Sequence, residues 1–258
     1  MKIKLLPSTI DLSGHVAPEQ HLSCFIVDGC VAIDAGSIAI AASADERARV
    51  RDIIITHPHL DHIATLPIFV DDLYGVLEEP IRIHATAEII GLLERDIFNG
   101  TLYPPFHTFS NRRTRVMEFV PFRTGEEFSV AHLRFTAVTV NHIVPTVGMI
   151  LSDGRNTIAF SSDTSATEEF WQLVNRTPRV DALLIEASFP DALANLAETS
   201  GHMTPASLGK ELCKLSHTDL DILAVHLKPS YYARLVEELA ALRIPRLSVM
   251  QPGREYAW

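Results

Sequence analysis

A cluster of four potential metal ligands within six residues constrains this chain more than any other feature. The cluster consists of His57, His59, Asp61 and His62, and it directly follows the apolar residues 53–55. We therefore expect a buried strand that delivers a polar loop to the edge of a sheet. Two imidazoles two positions apart can chelate one ion, and the Asp and His that follow can reach a second. A helix-capping loop with solvated histidines is the alternative, but it explains this spacing less well.

The bulk composition is that of an enzyme without an extensive nucleic-acid surface. The 258 residues can bury one large core, and we expect residues 1–258 to form a single domain. A formal net charge of −10 argues against a long nucleic acid as partner, although bound metal would still attract a small anion. Three cysteines without zinc-type spacing and the absence of a long apolar run predict a cytoplasmic protein without a membrane segment. The oligomeric state is left open, a homodimer included.

Strand-like and helix-like segments alternate along the chain. Apolar runs predict strands at 3–6, 22–27, 31–34, 53–56, 81–84, 133–140, 147–151, 157–160, 182–185, 222–226 and 247–250. Apolar periodicity and capping signals predict helices at 62–74, 87–97, 167–174, 205–215 and 231–242. Residues 99–115 form the one long irregular segment, which we interpret as either a lid or binding loop or a surface excursion.

Three further potential ligands follow predicted strands downstream. His142 follows the strand at 133–140, Asp163 follows the strand at 157–160, and His226 ends the strand at 222–226. Each would more often be an ordinary polar residue at the end of a strand. Their joint placement at strand ends, where ligand sites of sheet folds collect, predicts that they complete the first cluster.

These residues, with the Asp34-Ala35-Gly36 turn, resemble the metallo-β-lactamase superfamily over essentially the whole chain. The resemblance implies an α+β fold, an αβ/βα sandwich of two central mixed sheets flanked by helices. It implies that one metal ion is held by His57, His59 and His142, and the other by Asp61, His62 and His226. Asp163 would bridge the two ions, whereas Asp34 would be structural.

The donor atoms indicate which ions this site suits. Five imidazoles and two carboxylates without a thiolate favour two Zn²⁺ ions, with Mn²⁺ or Fe²⁺ as alternatives. True β-lactamases of the best-known subclass have Cys where this chain has Asp163. That departure points away from β-lactam hydrolysis and toward a pair of ions bridged by a carboxylate.

Two later segments narrow the resemblance to the class II cyclic-nucleotide phosphodiesterases. Residues 186–190 read EASFP and residues 200–205 read SGHMTP, where those enzymes have Glu-x-Ser-Phe-Pro and Gly-His-Leu-Thr-Pro. The related tRNA 3′-processing endonucleases carry similar Glu and His motifs. They usually also have a long arm between the equivalents of His142 and Asp163, and here only 20 residues intervene. The resemblance therefore favours a small phosphodiester over tRNA as substrate.

The expected reaction is hydrolysis of cyclic AMP or cyclic GMP to the 5′-monophosphate by metal-bound hydroxide. His202 is the candidate general acid, Glu186 its orienting partner, and Asp61 both a ligand and an orienter of the nucleophile. Lys228 could hold a phosphate oxygen, but we interpret it as a solvated loop residue, which is the commoner case; Tyr103 or Phe106 could stack on the base. The alternatives are an RNA or tRNA 3′-end endonuclease, a generic phosphodiesterase, and a metal-stabilised binding protein without turnover.

Overall fold

A computed structural model describes all 258 residues, and it contains two mixed sheets of seven strands each. Across the first sheet the strands are Glu255–Ala257 (β14), Lys2–Leu5 (β1), Phe25–Val27 (β2), Val31–Ile33 (β3), Asp52–Ile54 (β4), Ile81–Thr86 (β5) and Met117–Phe122 (β6). Pairing is antiparallel from β14 to β3 and parallel from β3 to β6.

The second sheet repeats this division into an antiparallel and a parallel half. Across it the strands are Leu247–Val249 (β13), Asp221–Val225 (β12), Ala182–Glu186 (β11), Thr157–Phe160 (β10), Val147–Ser152 (β9), Leu133–Thr139 (β8) and Glu127–Val130 (β7). Pairing is parallel from β13 to β10 and antiparallel from β10 to β7.

Helices cover the outer face of each sheet. The helices between the strands of the first sheet are Ile38–Ala41 (α1), Ala44–Arg49 (α2), Leu60–Ile63 (α3), Leu66–Leu73 (α4) and Ala87–Asp96 (α5). Those of the second half are Glu169–Arg176 (α6), Ala194–Thr199 (α7), Pro205–Leu212 (α8) and Tyr232–Ala241 (α9). No helix has the length and apolarity that crossing a bilayer requires.

Three buried apolar layers follow from side chains that alternate along the strands. In β4, Ile53 faces the helices of the first half, whereas Ile54 faces the second sheet. A third layer lies between the second sheet and its helices, around Trp171, Leu208 and Leu235. Each fully buried aliphatic side chain contributes about 1.5–3 kcal/mol. The predicted sandwich of two mixed sheets flanked by helices is confirmed.

Three features of the secondary structure differ from the prediction, and the first is that the short helices α1, α2 and α7 were not predicted. The helix expected at 62–74 is divided into α3 and α4, because Pro67 has no N–H group to donate to the carbonyl oxygen of Ile63 and is tolerated only in the first turn of α4. Strands β6, β7 and β14 were not predicted. All three lie at sheet edges, where exposed faces weaken the apolar alternation, and Pro121 is tolerated in β6 for the same reason.

Candidate metal centre

The predicted ligands of the first ion converge at one edge of the sandwich. His57 and His59 follow β4, His142 follows β8, and Asp163 follows β10. One ligand atom from each of these four residues lies within 4.8 Å of the others. His57 is fully buried, and Nε2 of His142 lies 3.1 Å from Nδ1 of His59. The structure thus brings together residues that are up to 106 positions apart.

The predicted ligands of the second ion form an adjacent group. Ligand atoms of Asp61, His62 and His226 also lie within 4.8 Å of one another. Nε2 of His226 is 3.2 Å from Oδ2 of Asp61 and 3.2 Å from Nε2 of His62. Asp61 and His62 lie in the first turn of α3, and His226 directly follows β12.

Asp163 lies between the two groups. Its Oδ2 atom is 3.6 Å from Nε2 of His57, 3.4 Å from Nε2 of His62 and 3.4 Å from Nε2 of His226. Burial disfavours the charged carboxylate, but the surrounding imidazoles, those of His226 and His62 foremost, hold its pKa well below the usual range. An ionised carboxylate at this position can contact both groups, as the bridging role predicted for it requires. That role remains a prediction.

The residues fit a divalent metal ion. Nε2 of His57 is buried without a hydrogen-bond partner, although it points toward atoms of other predicted metal ligands. Such an orphaned atom costs free energy unless something else satisfies it. Burial lowers the pKa of His57, His59 and His142, which favours the neutral imidazoles that metals bind. The His and Asp cluster is therefore able to bind metal ions.

Asp34 supports the first loop from behind. Oδ2 of Asp34 lies 2.7 Å from Nδ1 of His62, and its Oδ1 accepts a hydrogen bond from the backbone N–H of Thr56 at 2.9 Å. Burial opposes the charged form of His62, but the carboxylates of Asp163 and Asp34 raise its pKa well above the usual value. At Gly36, a Cβ atom would lie 2.0 Å from the carbonyl oxygen of Asp61, so only glycine fits the turn.

Glu186 and His202 form a buried pair beside the ligands. Nδ1 of His202 lies 2.8 Å from Oε1 of Glu186 and 4.0 Å from Oδ2 of Asp163. Burial opposes charge on His202, but Glu186 outweighs it and raises the pKa. Glu186 also accepts hydrogen bonds from the backbone N–H groups of Thr164 and Met203, at 2.9 and 3.2 Å. The pairing agrees with the geometry predicted for an acid and its orienting partner, whose roles remain predictions.

Comparison with known proteins agrees with this geometry. A family model described as the Beta-lactamase superfamily domain matches residues 31–226, which include every predicted ligand. The chain belongs to this family. Its architecture is the metallo-β-lactamase fold, and the structure of unliganded yeast PDE1 superposes with a TM-score of 0.77, at 17% identity and over 98% of each chain.

Two proteins named as cyclic-nucleotide phosphodiesterases are similar to this chain in sequence. The chain is 26% identical over 208 residues to the probable 3′,5′-cyclic-nucleotide phosphodiesterase of Yersinia pestis. The aligned region covers 72% of this chain and 59% of the relative. It is 23% identical over 240 residues to 3′,5′-cyclic-nucleotide phosphodiesterase 1 of Saccharomyces cerevisiae, covering 80% and 61%. The chain therefore spans about 60% of the length of these relatives. The fold and these names are consistent with a metal-dependent hydrolase.

Three cavities open beside the predicted metal-binding residues. A cavity of about 410 Å³ is lined by His142 and His202, and one of about 220 Å³ by Asp61, His226 and Lys228. A third, of about 750 Å³, is lined by His142. Residues 99–115 line none of the three.

The irregular segment 99–115 packs against the helical side of the first sheet. Phe106 is only 3% exposed, and its ring centroid lies 6.0 Å from that of Tyr103 and 6.4 Å from that of Phe98. This placement contradicts the expectation that Tyr103 or Phe106 stacks on a base in the site. Aromatic residues in an irregular segment suggested that the segment binds a nucleobase, but here the rings pack in or against the hydrophobic core.

Sequence reasoning missed two residues in contact with the cluster and left a third out of the site. Thr56 and Ser188 place buried hydroxyls against His57 and His226, respectively. Lys228, interpreted above as solvated, places Nζ 3.3 Å from Oδ2 of Asp61. Its position two residues after a ligand was the one available signal, while serine and threonine beside strand ends are too common to stand out.

Proposed function

We propose that this protein is a phosphodiesterase that hydrolyses 3′,5′-cyclic nucleotides to 5′-monophosphates with the help of two divalent metal ions. The observation that carries the proposal is the His202–Glu186 pair, which sets a buried imidazole beside two contiguous groups of metal donors. A hydrolase that cleaves an unactivated alcohol from phosphorus needs a proton donor as well as metal ions. The two phosphodiesterase-named relatives support the same substrate class.

The metal ions would be held by the two groups already described, with Asp163 in contact with both. Zn²⁺ fits the imidazole-rich donor set best, and Mn²⁺ or Fe²⁺ is compatible with it. When bound, divalent ions would act as Lewis acids toward the phosphodiester. They would also lower the pKa of bound water, so that hydroxide is available as the nucleophile near neutral pH.

His202 supplies the proton that the leaving group requires. Because Nδ1 is bound to Glu186, Nε2 is the ring atom that remains for the substrate. The attacking water loses one proton to the solvent and adds to phosphorus as hydroxide, the P–O3′ bond breaks, and the proton from Nε2 passes to O3′ of the ribose. Glu186 keeps the ring in this orientation and stabilises the imidazolium form, so it acts as a positioning residue. The nucleoside would occupy the cavity of about 410 Å³ that His202 lines.

A small diester fits the chain better than a long RNA does. The formal net charge is −10, and an RNA track needs a basic surface. Between His142 and Asp163 the chain forms only β9, a four-residue connection and β10, which leaves no room for a tRNA-binding arm. We therefore propose a small-molecule phosphodiester as substrate.

The proposal is tested by turnover of the metal-loaded protein on cyclic AMP, cyclic GMP, bis(p-nitrophenyl) phosphate and a tRNA precursor. We expect cleavage of at least one cyclic nucleotide to its 5′-monophosphate. His202→Ala should lower that rate about 10²–10⁴-fold, the usual worth of general acid catalysis, with metal content unchanged. The turnover rate of bis(p-nitrophenyl) phosphate should fall far less in this variant, because p-nitrophenolate leaves without a proton.

Three results would contradict the proposal. Cleavage of the tRNA precursor without turnover of either cyclic nucleotide would support the endonuclease alternative. Equal losses on both small substrates in His202→Ala would remove the proton-donor role. Full metal loading without turnover of any phosphodiester would indicate a binding protein.

A further inference from the structure

A hydroxyl group links a buried carboxylate to a predicted metal ligand on the first-sheet side of the site. Oγ1 of Thr56 lies 3.0 Å from both carboxylate oxygens of Asp34 and 3.0 Å from Nδ1 of His57. The same carboxylate contacts the imidazole of His62 directly at 2.7 Å. One acid thus orients one histidine directly and a second through a hydroxyl.

The second-sheet side repeats this arrangement with different residues. Oγ of Ser188 donates to Oε2 of Glu186 at 2.7 Å and lies 2.9 Å from Nδ1 of His226. Glu186 contacts His202 directly through its other oxygen at 2.8 Å. Glu186 and Ser188 are both fully buried, so water does not compete for these bonds.

Counting hydrogens assigns the direction of each bond around Ser188. The hydroxyl has a single proton, and its shorter contact to an oxygen acceptor is that of 2.7 Å to Oε2 of Glu186, against 3.1 Å to the carbonyl oxygen of His226, so the proton lies on the contact with Glu186. The oxygen of Ser188 must then accept from Nδ1–H of His226. With Nδ1 engaged by Ser188, Nε2 is the ring atom that faces Asp61 and Asp163, 3.2 and 3.4 Å away. The ring is thereby prepared to bind a metal ion through Nε2.

The backbone of His226 makes such support necessary. Its φ angle is +59°, in the left-handed region that residues with a Cβ atom adopt only at a cost of about 1–2 kcal/mol. Oγ of Ser188 also lies 3.1 Å from the carbonyl oxygen of His226 and 3.3 Å from Nδ1 of His202. Ser188 therefore touches both the ring and the main chain of this strained residue.

We propose that Ser188 is a positioning residue that fixes the ring and tautomer of His226 for the second metal ion, as Thr56 does for His57 at the first. Each metal ion would thus depend on its own relay of carboxylate, hydroxyl and imidazole, one built on each sheet. The inference rests on the metal ligands of the proposed function and is independent of the substrate.

The decisive experiment compares Ser188→Ala with Thr56→Val by metal-binding isotherms on metal-free protein. Loss of a group that orients a metal ligand typically costs 10–100-fold in affinity. We expect Ser188→Ala to weaken the second Zn²⁺ equivalent by that factor, with the affinity of the first unchanged within about twofold. Thr56→Val, the matched variant in the other relay, should weaken the opposite site.

Nuclear magnetic resonance of the ring nitrogens supplies a readout that does not depend on turnover. In zinc-saturated protein labelled with ¹⁵N at histidine, Nδ1 of His226 should carry a hydrogen-bonded proton, and Ser188→Ala should shift the Nδ1 and Hδ1 resonances because that bond is lost. Ser188→Cys separates hydrogen bonding from packing, because a thiol fills similar space but is a weak donor and acceptor. We expect Ser188→Cys to bind metal as Ser188→Ala does.

Two outcomes would overturn the inference. The first is wild-type affinity for both ions in Ser188→Ala, with the Nδ1 and Hδ1 resonances of His226 unchanged. The second is a loss of metal in Ser188→Ala that Ser188→Cys restores, because packing alone would then explain the residue. Failure to hydrolyse cyclic nucleotides would affect neither result, so the two proposals fail separately.

Discussion

The carbonyl oxygen of Gly201 accepts a hydrogen bond from Nδ1 of His142 at 2.8 Å. The residue that precedes the proposed proton donor, His202, thus fixes the ring of a predicted metal ligand 59 positions earlier in the chain. The contact presents Nε2 of His142 to His59 and the first metal site. It joins the segment proposed for acid catalysis to the segment proposed for metal binding, so a disturbance of one reaches the other.

Gly201→Ala should therefore weaken the first metal site. The φ angle of Gly201 is +70°, and an added Cβ atom would lie 2.8 Å from Nδ1 of His142. We expect metal affinity at the first site to fall about 10–100-fold, because the ring must move. Gly154→Ala is the matched control, since its φ is +86° with nothing within 4 Å of the added atom. If both variants lose the same affinity, backbone strain rather than the His142 contact is responsible.

The ligand cluster could be predicted because its chemistry is local or lies at strand ends. His57 to His62 are contiguous, and any strand followed by such a run places its donors at the edge of a sheet. The Glu186–His202 pairing followed from a motif resemblance. The ligand cluster and the Glu186–His202 pair could both be predicted from residue types and short spacings, and these can be read directly from one sequence.

The contacts around the cluster depend on how distant strands pair, which spacing does not encode. Ser188 meets His226 because β11 and β12 are parallel neighbours in register, with Glu186 opposite Val225. The edge strand β6 was missed because its sequence alternates weakly. Phe106 was misinterpreted because an aromatic residue in an irregular segment can face either the core or a ligand.

Asp163→Asn should disturb both metal sites at once. One oxygen of Asp163 lies within 3.6 Å of ligand nitrogens from both groups, and an amide lacks the charge that offsets two cations. We expect elemental analysis to fall from about two metal equivalents to below one in gently purified protein. Asp96→Asn, which changes an exposed ion pair, should keep both equivalents. Two retained equivalents in Asp163→Asn would show that the carboxylate does not bridge.

An ion pair far from the site should make stability depend on pH. Asp52 in β4 binds Arg82 in β5 through two contacts of 2.7 and 2.8 Å, and it also binds His84 at 2.8 Å. Burial opposes the charge on Asp52, but Arg82 and His84 outweigh it and hold the pKa well below the usual range. Because the folded pKa is depressed, this stability is present above the unfolded value near 3.9 and is lost as the pH falls toward the folded pKa.

Asp52→Asn should accordingly lower the free energy of unfolding by about 1–3 kcal/mol at pH 7. The value lies below that of a fully buried pair because the side chain of Arg82 is 30% exposed and keeps Glu79 as a second partner. Urea unfolding between pH 7 and pH 3 should show the difference from wild type shrinking below about pH 4. A difference that stays constant with pH would mean that packing, not charge, explains the loss.

Lys228 should bind the substrate phosphate rather than serve as a solvated surface lysine. Its Nζ atom lies 3.3 Å from Oδ2 of Asp61, at the wall of the cavity of about 220 Å³ that Asp61 and His226 also line. A cation at this position can contact a phosphoryl oxygen held between the two metal sites. Hydrogen bonds to charged groups contribute about 1.5–3 kcal/mol, so Lys228→Ala should raise KM for the cyclic nucleotide about 10–100-fold.

Matched variants separate this role from a general effect of charge. Lys228→Arg keeps the positive charge and should recover most of the affinity, although its planar head changes the geometry. Lys210→Ala removes an exposed lysine from α8 and should leave KM unchanged. Metal content should remain near two equivalents in all three variants, because Lys228 contacts a ligand without being one. If Lys228→Ala instead loses metal while KM stays constant, the lysine acts by holding Asp61 and not by binding phosphate.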